Sequence, residues 1–349
     1  MTFGEREGPV DSLMLKEALS AASAVEEQRR CADDRLSSLG KRLEDRPPTL
    51  ALTVARGSSD HAASYFAYLV MRRLGIPVVS LPMSLVTLHH APLAVAGQLA
   101  VGISQSGQSP DLVDTMGALG AAGAQTVAFV NRTDSPLAGT CEWVIPLCAG
   151  VEQSVAATKS YIAALAAVAR LVAHWQRDAR LLEALATLPE KLAIAAAGSG
   201  SAAIDALVPA SRTMVVGRGL GFAVALEAAL KLKETCAIQA EAFSGAEIRH
   251  GPMAIIEEGY PLFIFALRGP EQKGLLELAS FFRAHNARVV LAAPDDVAER
   301  DMTLAVADDE VLDPILAIQT FYVVAAKLAG LRGLNPDVPR HLSKVTRTL

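Results

Sequence analysis

Glu227, Lys231 and Glu234 interrupt an otherwise apolar stretch that follows a short β-like run ending Gly217-Arg218-Gly219. Their spacings of four and three place all three on one face of a helix. His250 follows sixteen residues after Glu234. Two carboxylates, an ammonium and an imidazole supply acids, bases and a cation, a set suited to moving protons on a small polar substrate. The same spacing also describes an ordinary ion pair on a solvated helix face. The residues alone leave both readings open.

Two turns rich in hydroxyls stand earlier in the chain. One reads Gly57-Ser58-Ser59-Asp60; the other reads Ser104-Gln105-Ser106-Gly107-Gln108-Ser109, directly before Pro110-Asp111. Each follows an apolar run and precedes a helical pattern. At the carboxyl end of a parallel strand, a helix N-terminus offers free amides and a positive dipole, and small hydroxyls add donors without blocking approach. The pair of turns predicts a phosphate pocket, with helix capping as the plain alternative. No P-loop lysine follows either turn and no GxGxxG follows the first strand, so neither a nucleoside triphosphate nor a dinucleotide is expected.

A third segment, Glu152-Gln153-Ser154-Val155-Ala156-Ala157-Thr158-Lys159, leads into a long helical stretch. Lys159 at a helix start opposes the dipole, which suggests a structural or ligand role. The tail Asn335–Leu349, NPDVPRHLSKVTRTL, reads by itself as a surface segment.

These groups need a scaffold, and the chain has material for one. It has 349 residues, 51% of them apolar, and a net charge of -5. That length fits two domains or one large one. Val10–Leu43 reads as amphipathic helix, ended by Pro47-Pro48. Continuous apolar runs then alternate with helical stretches: Thr49–Ala55, Pro77–Leu81, Leu99–Ser104, Thr126–Asn131 and Trp143–Cys148, then Thr213–Gly217, Pro261–Leu267, Arg288–Ala293 and Met302–Ala307. Runs of this kind are strands covered on both faces, so the expected fold is α/β with parallel sheets. Each half opens with a strand running into a small-residue turn, and aligning Gly57 with Gly217 suggests two related lobes. The expected organisation is an N-terminal helical segment at 1–46, lobes at 47–197 and 198–334, and a tail at 335–349.

Several classes are set aside. The acidic balance gives no sign of nucleic-acid binding. No unbroken apolar run reaches the length of a membrane span, and the polar start MTFGEREGPVDS lacks a signal region, so a cytoplasmic protein is expected. The seven histidines form no HxxxH or HExxH pattern, and no metal or other cofactor is expected. Cys31, Cys141, Cys148 and Cys236 lack CxxC spacing and read as structural thiols.

Taken together, RGSS, SQSGQSPD, EQSVAATKS, ALEAALKLKE, AEAFSGAEIRHGP and NPDVPRHLSKV resemble, in their order, the sugar isomerase (SIS) family. Within it they are most similar to the isomerase half of the glutamine–fructose-6-phosphate amidotransferases. The resemblance runs from about Pro47 to the end. It implies paired flavodoxin-like αβα lobes, each with a parallel sheet of about five strands, assembled as a homodimer. It implies that Ser58, Ser59, Ser104, Gln105, Ser106 and Ser109 hold the phosphate of a hexose phosphate or aminosugar phosphate, and that Val155 and Thr158 border the sugar. Glu234 would be the base moving a proton between carbons 1 and 2, with Glu227 and Lys231 beside it. His250 would assist ring opening from the neighbouring subunit, and Lys344 would form a Schiff base with the open-chain ketose.

The departures shape the expected activity. With so short a segment before Pro47 no glutaminase domain is expected, and the phosphate loop reads SGQSPD rather than an SGET-like form. The loop Met83–Pro92, MSLVTLHHAP, also differs and reads as a divergent surface loop. The resemblance therefore implies an aldose–ketose isomerase working as a glucosamine-6-phosphate deaminase, which gives fructose 6-phosphate and ammonia. Galactosamine 6-phosphate, a fructosamine phosphate, a plain hexose phosphate, or a sugar-phosphate sensor without turnover are the alternatives.

Overall fold

A computed structural model describes residues 12–344; residues 1–11 of the expected N-terminal segment and 345–349 of the expected tail lie outside the described residues. The chain divides into two compact units. The first gathers Ala21–Glu152, Lys159–Pro189 and Ser343–Leu349; the second gathers Met1–Ser20, Gln153–Thr158 and Glu190–Leu342.

Helix α1 (Leu13–Leu19) opens the described chain and belongs to the second unit. The first unit begins with α2 (Ala21–Asp45). Its Val25, Gln28, Ala32, Leu36, Leu39 and Leu43 recur every three or four residues and are buried, forming one stripe. There follow β1 (Ala51–Val54), α3 (Ser58–Leu74), β2 (Val78–Ser80), α4 (Ser84–Thr87), β3 (Leu99–Ser104), α5 (Pro110–Ala121), β4 (Gln125–Val130), α6 (Pro136–Thr140), β5 (Trp143–Pro146), α7 (Lys159–Gln176) and α8 (Ala179–Ala196). The strands form a parallel sheet in the order β2-β1-β3-β4-β5. Every residue of β1 and β3 is buried, which is why those runs are continuously apolar. Helices α2 and α3 pack on α7. Gln28, buried there, donates to the carbonyls of Leu147 (3.1 Å) and Ala163 (2.8 Å).

The second unit continues with α9 (Ser201–Leu207), β6 (Arg212–Gly217), α10 (Leu220–Cys236), β7 (Gln239–Ser244), the 3-10 turns Glu247–His250 and Pro252–Ile255, β8 (Pro261–Phe265), α11 (Gln272–Ala284), β9 (Arg288–Ala293), β10 (Met302–Thr303) and α12 (Asp313–Leu331). Its parallel sheet runs β10-β9-β8-β6-β7, the same winding as the first. Glu310–Leu331 is long and apolar enough to cross a membrane, but 83% of its most apolar stretch is buried inside the protein. It is a core helix: Phe321 packs edge-on to Phe263 and Phe265, with centroids 5.4 and 5.9 Å apart.

The duplication is sharper in the backbone than in the letters. Gly57 (φ 55°, ψ −134°) caps α3 and Gly219 (φ 57°, ψ −133°) caps α10. Only glycine adopts this conformation without strain. The structural match of Gly57 is therefore Gly219, two residues beyond the Gly217 that sequence alignment suggested.

One expectation is corrected. Cys31 on α2 and Cys148 after β5 are joined as a disulfide, leaving Cys141 and Cys236 free. The pairing spans 117 residues, so local spacing carries no trace of it. Burial pushes both free thiols up to about 11, which keeps them protonated and inert at neutral pH.

Candidate active site

In the first unit, β1 and β3 are neighbours whose onward connections leave in opposite directions, so a crevice forms beyond their carboxyl ends. The two serine-rich turns sit there. Ser58 and Ser59 are the first residues of α3 and are half-buried. Ser104 ends β3 and Ser109 is the N-cap of α5. Between them the loop folds on itself: Ser104 Oγ accepts from the Gly107 amide (2.9 Å) and Ser106 Oγ from the Gln108 amide (3.4 Å). Gln105 and Ser106 stay half-buried at the tip. Gly107 has φ +63°, and a Cβ there would lie 2.2 Å from Ser135 Oγ, so the turn closes only with glycine.

Sequence reasoning missed the link between these turns. Asp111, in the first turn of α5 and only 2% exposed, accepts from Arg56 Nη2 (3.1 Å) and Nε (3.3 Å). Arg56 immediately precedes Gly57, so the ion pair ties the two turns together. Asp60 closes the first turn. Burial pushes its carboxyl above the usual range, against the pull of His61 and Arg56.

The equivalent crevice of the second unit differs. There a Cβ on Gly219 would lie 2.5 Å from Glu271 Oε1. A carboxylate stands beside the turn where the first unit presents hydroxyls. Hydroxyls and amides suit an anion; a carboxylate opposes one.

The second unit instead carries the charged stripe on α10, and its burial rules out a solvated ion pair. Glu227 and Lys231 are fully buried, and the Glu234 side chain is 20% exposed. Lys231 Nζ donates to Glu234 Oε2 at 2.5 Å and lies 3.4 Å from Glu227 Oε1. Burial alone would depress the Lys231 pKa, but the two carboxylates outweigh it and hold the group above its ordinary value. Lys231 is therefore an ammonium. Tyr322 on α12, also fully buried, donates its hydroxyl to Glu227 Oε1 at 3.0 Å. The chain Tyr322–Glu227–Lys231–Glu234 thus runs from the core to a surface. Tyr322 lies in a mostly apolar helix and gave no sequence signal. Glu234 lines a cavity of about 600 Å³ together with Lys233, Asn335, Val338 and Arg340. An ion-paired carboxylate facing such a cavity can accept and return a proton.

The remaining predicted residues fall as follows. Thr158 is buried and Val155 half-buried just before α7; Lys159, the first residue of α7, is itself 9% exposed. His250 is exposed at the end of a 3-10 turn. In the first unit, Lys344 Nζ donates to Glu152 Oε2 at 3.1 Å, and the same buried carboxylate accepts from Ser160 Oγ (2.7 Å) and Ser160 N (3.2 Å). Glu152 was not predicted as a site residue. Among the described residues no cluster of His, Cys, Asp and Glu is placed to hold a metal ion.

Comparison with known proteins places this geometry. The SIS domain matches residues 50–173 and 206–310. The chain is 33% identical over 309 residues to the glutamine–fructose-6-phosphate aminotransferase (isomerizing) of Gloeobacter violaceus, covering 83% of this chain and 50% of that protein. To the protein of the same name in Mycolicibacterium smegmatis it is 30% identical over 372 residues, covering 97% and 58%. The chain thus spans about half the length of the curated relatives it matches. Among solved structures, a candidate phosphosugar isomerase from Silicibacter pomeroyi DSS-3 superposes with a TM-score of 0.89 at 36% identity, covering 94% of this chain and 100% of that one. The glucosamine-6-phosphate deaminase of Thermotoga maritima shares the fold, with a TM-score of 0.74 at 23% identity over 97% of this chain and 100% of that one. With two matched stretches that fill both sheets, and relatives aligned across most of its length, this chain belongs to the SIS domain family.

Proposed function

We propose that the chain is a phosphosugar isomerase that deaminates an aminosugar phosphate, converting glucosamine 6-phosphate and water to fructose 6-phosphate and ammonia. The observation that carries this reading is Glu234: an ion-paired carboxylate, backed by a buried ammonium, opening on a cavity large enough for a hexose phosphate. The phosphate is assigned to Ser58, Ser59, Ser104, Gln105, Ser106 and Ser109, whose small donors at two helix N-termini suit a dianion. Val155 and Thr158 border the sugar.

In this reading His250 assists opening of the ring to the aldehyde, and its exposure fits donation to the neighbouring subunit of a homodimer. Glu234 removes the proton from carbon 2, leaving an enolamine, and returns it to carbon 1. The product carries an imine at carbon 2. Water adds to that carbon, the C–N bond breaks, and ammonia leaves with the carbonyl formed. Lys231 offsets the charge that develops on the carbon 1 oxygen, and Glu227 keeps Lys231 protonated. Lys344 is assigned the Schiff base with the open-chain ketose, its neutral amine adding to carbon 2 and the carbonyl oxygen leaving as water. Its amine must first lose a proton, and Glu152, 3.1 Å away, is its hydrogen-bonded neighbour. A cytoplasmic setting accords with a freely diffusing sugar phosphate substrate.

The test is ammonia release from glucosamine 6-phosphate by the purified protein, with fructose 6-phosphate measured in the same tube. Equal amounts of both are expected. Fructose 6-phosphate and ammonia both absent, with the ester bound, overturns the deaminase reading and directs the same assay to galactosamine 6-phosphate and fructosamine phosphate.

A further inference from the structure

Helix α1 lies far from the predicted chemistry in sequence, yet two carboxylates, Asp337 and its own Glu17, tie it to the segments that carry it. The carboxylate of Asp337 accepts from the amides of Leu13 (2.9 Å, through Oδ2) and Met14 (2.8 Å, through Oδ1). These are amides that a helix N-terminus otherwise leaves without partners. Ser12 Oγ takes a third, from Leu15 at 3.2 Å. A carboxylate in that place is held by two charge-assisted bonds and the helix dipole. The backbone carbonyl of the same Asp337 accepts from the Val155 amide at 3.2 Å, and its own amide donates to Asn335 Oδ1 at 2.9 Å.

One turn along α1, Glu17 repeats the device. It is 7% exposed, and its carboxylate accepts from the amides of Gln153 and Ser154, the latter at 3.2 Å. Gln319 of α12 donates to the Ala18 carbonyl at 3.1 Å and anchors the helix end to the core. The backbone from Gln153 to Val155 is thus held at three successive amides, by two carboxyl-bearing residues on separate segments. Nothing in an ordinary loop requires that degree of fixing, and loops without it are the mobile parts of folds.

We propose that Asp337 and Glu17 are positioning residues: acting through α1, they fix the Ser154–Val155 backbone and the start of the tail so that both meet the sugar in one geometry. This rests on the assignment of Val155 and Thr158 to the sugar. The Asp337 carboxylate holds the start of α1 while its backbone holds Val155 and Asn335, so truncating the side chain frees α1 from the tail and reaches the Gln153–Thr158 segment through α1 and its Glu17. Glu17 controls only that segment.

The experiment uses the full chain and two variants, Asp337→Ala and Glu17→Gln. Backbone hydrogen exchange is followed at 153–158 and 335–342, together with KM and kcat for glucosamine 6-phosphate and the Kd of inorganic phosphate. Loss of charge-assisted bonds should speed exchange at 153–158 about tenfold in both variants and at 335–342 in Asp337→Ala only. KM should rise about tenfold while inorganic phosphate binds as before, because the first-unit turns are untouched. Exchange and KM equal to the parent's, with only a lower melting temperature, overturns the proposal. If the parent turns over no sugar phosphate, the deaminase reading fails and the exchange pattern still decides the positioning role. If Asp337→Ala does not fold, unchanged exchange at 153–158 in Glu17→Gln refutes it alone.

Discussion

Replacing Lys231 with Met tests whether the stripe on α10 works as one electrostatic unit. At an effective dielectric near 20, unit charges at the observed 3.4 Å attract by about 5 kcal/mol. Removing each ion from water costs several kcal/mol, so the intact group contributes little net stability. Removing one member is different. Lys231→Met preserves length and apolar volume but leaves the carboxylate of Glu227, fully buried, without its cation. The expected loss is about 3–5 kcal/mol, against a total stability of about 5–15 kcal/mol for a typical domain. The Tyr322 hydroxyl still donates to Glu227, but one hydrogen bond to a charge returns only about 1.5–3 kcal/mol.

Urea unfolding at pH 7 measures the loss. The second arm is the double variant Lys231→Met with Glu227→Gln, which removes the stranded charge and keeps an acceptor for Tyr322. It should recover most of the lost stability. A single variant costing under about 1 kcal/mol, or a double variant at least as unstable as the single, would refute the reasoning. A third arm is alkaline. The folded pKa of Lys231 is raised above its ordinary 10.5. Its contribution is therefore fully present below that value and is lost as pH rises through the higher folded pKa. The stability gap between parent and Lys231→Met should close at high pH and persist at neutral pH.

Glu234→Gln should abolish turnover while leaving inorganic phosphate affinity unchanged; measurable ammonia release by that variant sinks its assignment as the base. Asp111→Asn should weaken inorganic phosphate binding about tenfold, since Arg56 would no longer hold the two turns together by a charged contact, and calorimetric titration reads this directly. Gly107→Ala should destabilise by about 1–3 kcal/mol from backbone strain alone, and more if Ser135 cannot yield; an unperturbed urea midpoint would contradict the turn geometry. Reducing the Cys31–Cys148 link opens the loop it closes, 117 residues in sequence separation, and should lower stability by up to about 4–5 kcal/mol in the chain-entropy picture. The same reductant should leave a Cys31→Ser/Cys148→Ser protein unaffected.

The parallel sheets were legible because strands buried on both faces must be apolar throughout, as β1 and β3 are. Strand β7 was missed for the converse reason. It is an edge strand with Gln239 and Glu241 exposed, so its sequence QAEAFS has no such run. The helix face of Glu227, Lys231 and Glu234 followed from spacing alone, but its burial did not. A buried charge and a solvated one have the same letters, and the difference lies in Tyr322 and in the walls around it.

What escaped the sequence has a common physical form. Arg56 with Asp111, Glu227 with Tyr322, Glu152 with Lys344, and Asp337 with the start of α1 are contacts between one local motif and a partner 55 to 324 residues away. Motifs arise where chemistry needs several groups within one turn, since a helix or tight loop then fixes their geometry by covalent spacing. The partners need only one polar atom at the right place, supplied by whichever element packs there. A single Asp or Tyr in that role has no pattern to find. On α10 the charge state is set within the motif itself: burial alone would drive the Lys231 pKa down, and Glu227 and Glu234 together hold it above its ordinary value. The motif residues name the reaction class; the distant partners hold the segments that carry them in place.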